Sequence, residues 1–462
     1  MGEEGLVSRA GYCFAAFLAA TASCVHAEPP PPLREDPAAQ PPPKAAADAR
    51  PALSAFGESL RDAGVVLRAT VFDDFAAVVH GGEKRGHTNV VSESFGADFD
   101  LERLLGWRGA RFHVTFNQEN GPSASADLVN TGIVLQSRFK PYDNLRLAIM
   151  TYEQEFADGR VNVEAGRTTP LMYFNVSAIY CQFQSNALCA TPLAAPLYNG
   201  SLSPYPYSTW GGRVRVKTSA HTYVQAGAFE VDPSLIPSNG FVWSTGRATG
   251  VVYPVEFGYG SELKTTRYAR HLRLGGFHDS SDFNDPFVRT EAGLPKTHDQ
   301  RNGWYAMGDQ VVYRPDPAST RNVVLFGGYT QVTDQASKYH GQAVLGAVAT
   351  GLVPGRPLDT IGVSVNRFRL GDSEVAMLDA RRVQAGGAPS VHAEETLFEL
   401  NYGVQLARGV RLLPALQYLI HPDTSVRPSV RAQPGNAFLV GFRLTIDLHD
   451  ALGWPTQLAL GG

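Results

Sequence analysis

From residue 64 onward, apolar and polar positions alternate in segments of about ten residues, the period-two pattern of a strand whose two faces meet different surroundings. The pattern is clearest near the C-terminus. Across 396–406, Thr396, Phe398, Leu400, Tyr402, Val404 and Leu406 fall on one side, and Glu399, Asn401, Gly403 and Gln405 on the other. The last such segment sets Phe438, Val440, Phe442, Leu444 and Ile446 against Gly441, Arg443, Thr445 and Asp447. The periodicity predicts 16 strands, over 64–79, 93–102, 110–118, 144–155, 160–167, 210–217, 221–230, 251–260, 267–277, 303–314, 321–332, 342–353, 358–368, 395–407, 409–420 and 436–448. Their connections alternate. Long ones cover 80–92, 119–143, 168–209, 231–250, 278–302, 371–394 and 421–435, with short ones such as 103–109, 157–159, 218–220 and 354–357 between them.

An even number of two-faced strands, joined by short turns at one end and long loops at the other, is the pattern of a barrel crossing an outer membrane. The predicted class is all-β: a 16-stranded antiparallel transmembrane barrel with short periplasmic turns and long extracellular loops. Lipid cannot satisfy an open sheet edge, so such a sheet must close. A barrel of this size leaves an aqueous lumen, whereas about eight strands would be filled by side chains. A soluble sandwich, barrel or propeller would show the same alternation turned inside out. Against it stand the rhythm of the connections, the aromatic ends of the apolar rows and the absence of a blade-length repeat.

Composition agrees. The chain of 462 residues has 46 Gly, 18 Tyr and 24 Phe, but only 18% charged residues and a formal net charge of -4. There is no basic footprint for nucleic acid. Mean hydropathy is -0.15, and no apolar stretch after the N-terminus is long enough for a spanning helix. Arg9, the apolar run Ala10 to Ala20 and the small residues before Glu28 predict a signal peptide over 1–27, and hence export. Residues 28–58 read as a linker rich in Pro and Ala, 59–448 as the barrel and 449–462 as a C-terminal extension.

Chemistry of other kinds is sparse. No Gly-x-Ser-x-Gly, His-Glu-x-x-His or phosphate-loop motif occurs, and no Cys and His spacing suits a metal, so neither enzyme activity nor a cofactor is expected. Cys181 and Cys189 would survive export into an oxidising compartment, where a small-loop disulfide is expected over two unpaired thiols. The segment 168–209 is far longer than ordinary loops and rich in aromatics, among them Tyr173 and Phe174, with Trp210 just beyond it. Folded inward it would narrow the pore, with rings suited to the apolar faces of a pyranose. The alternative is an external cap packed on itself. Strand parity adds Glu164, Arg213, Arg215, Arg273, Glu399 and Arg443 to the inward wall, where charge sets selectivity. For any single one of them, pairing with a neighbouring charge is the more ordinary role.

Several motifs in sequence order are similar to one family. Leu104-Leu105-Gly106-Trp107-Arg108-Gly109, Tyr152-Glu153-Gln154-Glu155-Phe156-Ala157-Asp158-Gly159-Arg160, Asp309-Gln310-Val311-Val312-Tyr313-Arg314, Gly351-Leu352-Val353-Pro354-Gly355-Arg356-Pro357 and the closing run Asn436 to Leu444 resemble the carbohydrate-selective porins of the OprB type. The resemblance covers most of 60–448. It implies passive passage of sugars through the outer membrane of a Gram-negative bacterium, with membrane lipids and the barrel assembly machinery as partners. It leaves monomer and trimer both open. A general or anion-preferring channel without sugar specificity is the alternative function.

Overall fold

The computed structural model describes residues 53–136, 144–188 and 201–455. The first 52 residues, which hold the predicted signal peptide and most of the predicted linker, lie outside them. Sixteen antiparallel strands close on themselves. In chain order these are β1 (Val65–Gly82), β2 (Gly86–Asp100), β3 (Ala110–Asn120), β4 (Arg146–Phe156), β5 (Val161–Thr168), β6 (Thr209–Lys217), β7 (Thr222–Val231), β8 (Gly250–Gly260) and β9 (Arg270–Asp279). A small separate hairpin, β10 (Phe283–Arg289) and β11 (Pro295–His298), follows in the next long connection. The barrel resumes with β12 (Arg301–Tyr313), β13 (Asn322–Val332), β14 (Tyr339–Thr350), β15 (Thr360–Leu370), β16 (Glu394–Ala407), β17 (Val410–Ile420) and β18 (Gly435–Asp447). Each barrel strand pairs with its neighbour in sequence, and β1 closes the circle on β18 with Thr70 opposite Asp447 and Phe75 opposite Phe442. No open edge is left. Among the described residues no helix is long and apolar enough to cross a membrane.

Side-chain exposure follows the predicted alternation and gives it a direction. Leu345 (63%), Leu400 (50%) and Val214 (44%) stand exposed on the outer face, while Gln417, Glu399 and Arg213 on the alternate positions are buried. A soluble barrel would have the two sets exchanged. The outward row is the surface that lipid covers.

The predicted connections hold with three differences. The segment 80–92 is not a long loop: β1 and β2 extend through it and turn over three residues. A two-sided strand rich in Gly, His and Thr carries too weak an alternation for the extension to be read. Connection 371–394 holds α3 (Asp372–Gln384), whose Leu378 packs with Val129, Ile133, Leu135, Leu397, Leu419 and Leu439 in a core inside the extracellular half of the bore. Finally, the end of the predicted linker is α1 (Ser54–Asp62), and the predicted C-terminal extension folds onto it. A short helix, α4 (Leu448–Ala451), turns the chain so that the Trp454 indole Nε1 donates to the Leu53 carbonyl at 3.0 Å and its ring packs on Phe56. The first turn after β2 is α2 (Leu101–Leu105), capped by the Asp100 carboxylate and ended by Gly106 at φ 76.

Two expectations follow. Arginine at Leu400 or Leu345 places charge in the lipid and should cost about 2–4 kcal/mol, read as a lowered urea midpoint in bilayers, while arginine at the inward Thr445 should be tolerated. Equal damage from both sets would reverse the assigned faces. The second concerns Glu374 on α3. Burial pushes its carboxyl up to about 7; Lys338 opposes the rise and Asp423 adds to it. The folded chain holds this proton more tightly than an unfolded chain with the ordinary value of 4.5, so docking of α3 weakens as pH rises through that window. Amide exchange across 372–384, corrected for its intrinsic rate, should be faster above about pH 7.5 than below about pH 5.5, and Glu374→Gln should flatten the difference.

Candidate functional site

A strand wall of this diameter leaves a wide bore, and the segment that follows β5 occupies much of it. Residues 170–188 run along the inner wall, touching inward side chains from β5 round to β18. A backbone carried into the bore needs partners for its N–H and C=O groups, and wall side chains supply them. Gln225 on β7 donates to the Tyr173 carbonyl at 2.7 Å, and the Asn175 N–H donates to Glu256 on β8 at 3.0 Å. Across the bore, Asn401 on β16 donates to the Gln182 carbonyl at 3.0 Å. The N–H groups of Gln184 and Ser185 donate to the two oxygens of Glu399 at 2.6 and 3.0 Å. Arg443 on β18 donates to the carbonyls of Phe183 and Gln184 at 3.0 and 2.6 Å, and pairs with Asp74 on β1 at 2.8 Å. Asn366 on β15 donates to the Ala187 carbonyl at 3.2 Å. Apolar contact completes the seat, with Tyr180 and Phe183 packed edge-on to Phe326 at centroid distances of 4.8 and 5.5 Å.

Glu256 is the centre of the firmest of these contacts. It is buried, and besides the Asn175 N–H it accepts from the Tyr223 hydroxyl at 2.8 Å, Gln225 at 2.9 Å and the Tyr305 hydroxyl at 2.7 Å. Two glycines make this possible. A Cβ at Gly258 would lie 2.1 Å from the Tyr223 ring, and one at Gly275 would lie 2.2 Å from the Tyr305 ring. Only bare backbone lets the rings lie flat on the wall and reach the carboxylate.

Beside this seat, β5 to β9 present a polar face. The Tyr173 hydroxyl donates to Glu164 at 2.7 Å, and Glu164 also accepts from Thr151 at 2.8 Å and from Arg213 at 3.4 Å. The Arg213 guanidinium lies 4.7 Å from the centre of the Tyr173 ring, and that of Arg215 lies 3.9 Å from the centre of the Tyr223 ring. Asn162, Arg215 and Gln225 are direct cross-strand neighbours, and Arg273 lies two strands beyond Gln225, on β9 opposite Gly258 of β8. Near the periplasmic end the wall charges are instead paired with each other: Arg68 with Asp98 at 2.7 Å, Arg111 with Glu155 at 3.3 Å, and His113 between Asp98 and Glu153.

The residues nominated from sequence therefore separate into groups. Tyr173, Glu164, Arg213, Arg215 and Arg273 come together on the β5–β9 face. Phe174 is buried behind it, packed edge-on to Phe229. Glu399 and Arg443 sit on the opposite wall, sealed under 182–185. Trp210 alternates with the inward Arg213 row and takes the other side, packed on Trp243 at 5.6 Å, where its indole donates to the Trp243 carbonyl. Cys181 is disulfide-bonded, while Cys189 lies outside the described residues. Among the described residues no group of three or more His, Cys, Asp or Glu could hold a metal ion. Glu256, Tyr223, Gln225 and Asp74 escaped the sequence reading. For Glu256 a signal existed, since it alternates with the exposed Val255 and Phe257 as a lone carboxylate in an apolar strand.

Residues 84–448 match the family described as "Carbohydrate-selective porin, OprB family". Porin B of Pseudomonas aeruginosa is 26% identical over 387 residues, covering 79% of this chain and 84% of that protein. The putative porin QuiX of Acinetobacter baylyi is 24% identical over 389 residues, 79% of this chain and 86% of its own. A solved structure of Pseudomonas putida OprB at high pH is 25% identical, with a TM-score of 0.76 over 85% of this chain and 96% of its own.

The Arg443–Asp74 pair yields a stability test. Arg443→Leu strands a buried carboxylate and should cost about 3–5 kcal/mol, whereas adding Asp74→Leu should restore much of the loss, both read from urea unfolding. A single substitution as mild as the double would show that Asp74 is solvated from the lumen.

Proposed function

This chain belongs to the carbohydrate-selective porin family of the OprB type and is a sugar-selective porin of the outer membrane, and from that premise we propose that sugars pass between segment 170–188 and the β5–β9 wall. Tyr173 carries this reading. It is the aromatic of the inner segment that reaches the polar wall, with its hydroxyl on Glu164 and the Arg213 guanidinium over its ring. A pyranose has apolar C–H faces and a rim of hydroxyls, so a ring beside fixed donors and acceptors suits it. Conduction also needs release. Weak, repeated contacts along the row Glu164, Arg213, Arg215 and Arg273 meet that need better than one deep pocket. Phe174, packed on Phe229 of β7, holds one end of the segment, and Glu399 and Arg443 on the opposite wall hold the other; together they set the width of the passage.

The protein acts as a channel rather than an enzyme. Export across the periplasm is supported by the apolar run Ala10 to Ala20, and a lipid partner by the exposed apolar rows of the strands. Contact with the barrel assembly machinery follows from the closed sheet. The Cys181 bond is proposed to be to Cys189, which would tie the turn after the 3₁₀ segment 178–182.

Planar-bilayer recording of the refolded protein tests the passage. Replacing 174–187 with a short Gly/Ser linker should raise single-channel conductance and weaken block by added glucose, because the segment fills part of the bore. Conductance left unchanged would mean that the segment does not limit the passage. Wider conductance with sugar block intact would move the contact onto the wall alone.

A further inference from the structure

The hydrogen-bonding capacity left over on the β5–β9 face is not evenly spread. Its carboxylates are occupied, Glu256 by four donors and Glu164 by three, and Asp309 on the adjoining β12 is held by His271 at 2.8 Å. Its guanidiniums are occupied only in part. Nε and Nη1 of Arg213, Nε of Arg215 and Nη1 of Arg273 have no protein partner, although Arg213 is more than nine-tenths buried. Among the described residues no carboxylate lies within ion-pair distance of Arg215, Lys217 or Arg273, in contrast to the paired arginines at the periplasmic end. The charges of Arg213, Arg273 and Glu256 all reach Arg215. The surplus on this wall is thus several cationic donors set close together.

Acceptors without partners are also present there, but neutral ones. Asn162 Oδ1 and Gln225 Oε1 are buried without a partner, and both residues flank Arg215 across the strands. A neutral sugar hydroxyl can donate to such amide oxygens. It cannot answer several cations, because it brings no charge. A carboxylate is the group that guanidinium forks match best, accepting two parallel hydrogen bonds in one plane. The rings of Tyr173 and Tyr223 hold the guanidiniums of Arg213 and Arg215 in place, and Arg215 and Arg273 remain partly exposed for such a ligand. The chemistry called for on one face is a carboxylate for the arginines with hydroxyls for the amides.

We infer that this porin conducts polyhydroxylated carboxylates, the aldonic and uronic acid forms of monosaccharides, and prefers them to the neutral sugars. The inference rests on the sugar-porin reading and narrows its substrate class. Passage is not trapping, because Arg213 retains Glu164 as a resident partner that competes for its fork. The acid is handed along Arg213, Arg215 and Arg273, each contact weak enough to break in a wet lumen.

The test uses the full-length protein refolded into planar bilayers, with glucose, glucuronate, gluconate and acetate as blockers of the ionic current. Glucuronate and gluconate should block at concentrations about tenfold below glucose, the effect of one charge-assisted hydrogen bond, and acetate should not block. Arg215→Gln with Arg273→Gln should bring the ratio of acid to glucose block close to one. Arg215→Lys, which keeps the charge and loses the fork, should fall between. Equal block by glucose and glucuronate in the unaltered protein would overturn this inference and leave the sugar porin standing. Block by none of the hydroxylated compounds would overturn the sugar reading itself. Acetate as effective as glucuronate would make the face a plain anion site and overturn the inference as well. Should the double variant fail to insert, the comparison of blockers in the unaltered protein still decides.

Discussion

Lipid offers the peptide backbone no hydrogen-bonding partner, and every other feature of this protein is arranged around that fact. The strands must pair completely, so β1 meets β18 and no edge remains. Closure at this circumference leaves a wet interior, which is why charge is tolerable inside and apolar rows stand outside. The same alternation that would build a soluble core is here turned outward, and the polar face becomes the surface on which function is written.

A second constraint follows from the first. A bore of this width needs an occupant if it is to select, and an occupant with exposed backbone needs partners of its own. The wall supplies them at the two ends of the segment 170–188. Glu256 binds it on one side through Asn175, while Glu399, Asn401 and Arg443 bind it on the other. Carboxylates that accept backbone N–H groups are strong anchors, and the Arg443–Asp74 pair, sealed from water, is too costly to leave half made. The segment is therefore tied to the wall on both sides of the bore, and on β5 to β9 it leaves Arg215 and Arg273 partly exposed.

Much of this was legible in the chain. Apart from the first half of β2, the 16 strands fall within a few residues of where the period-two pattern puts them, because lipid outside and water inside impose opposite demands on alternate residues along each strand. The inward placement of Arg213, Arg215 and Arg273 came from the same parity. What parity cannot convey is which inward residues are covered. Leu397, Leu419 and Leu439 lie on the inward face yet form a core, because α3 and the residues around Val129 and Leu135 fill that end of the bore. Glu399 and Arg443 shared the parity of Arg213 but lie beneath the inner segment. Trp210 was drawn in by its nearness to the long loop, although its own alternation with Arg213 points it outward. Glu256 was overlooked because a lone carboxylate in an apolar strand gives no hint of the two tyrosines, on β7 and β12, that Gly258 and Gly275 let reach it.

The central claim is that the inner segment, seated on the wall at both ends, leaves the stretch of β5–β9 around Arg215 and Arg273 as the passage. Thiol accessibility measures this most directly. Single cysteines at Arg215 and at Asn401, each in the otherwise unaltered protein, would be challenged in vesicles with a small hydrophilic thiol reagent, with and without glucose. The cysteine at 215 should react readily and be protected by the sugar, while that at 401 should stay unreactive under 182–185. Rapid reaction at 401 with a silent 215 would contradict the account and place the passage on the opposite wall.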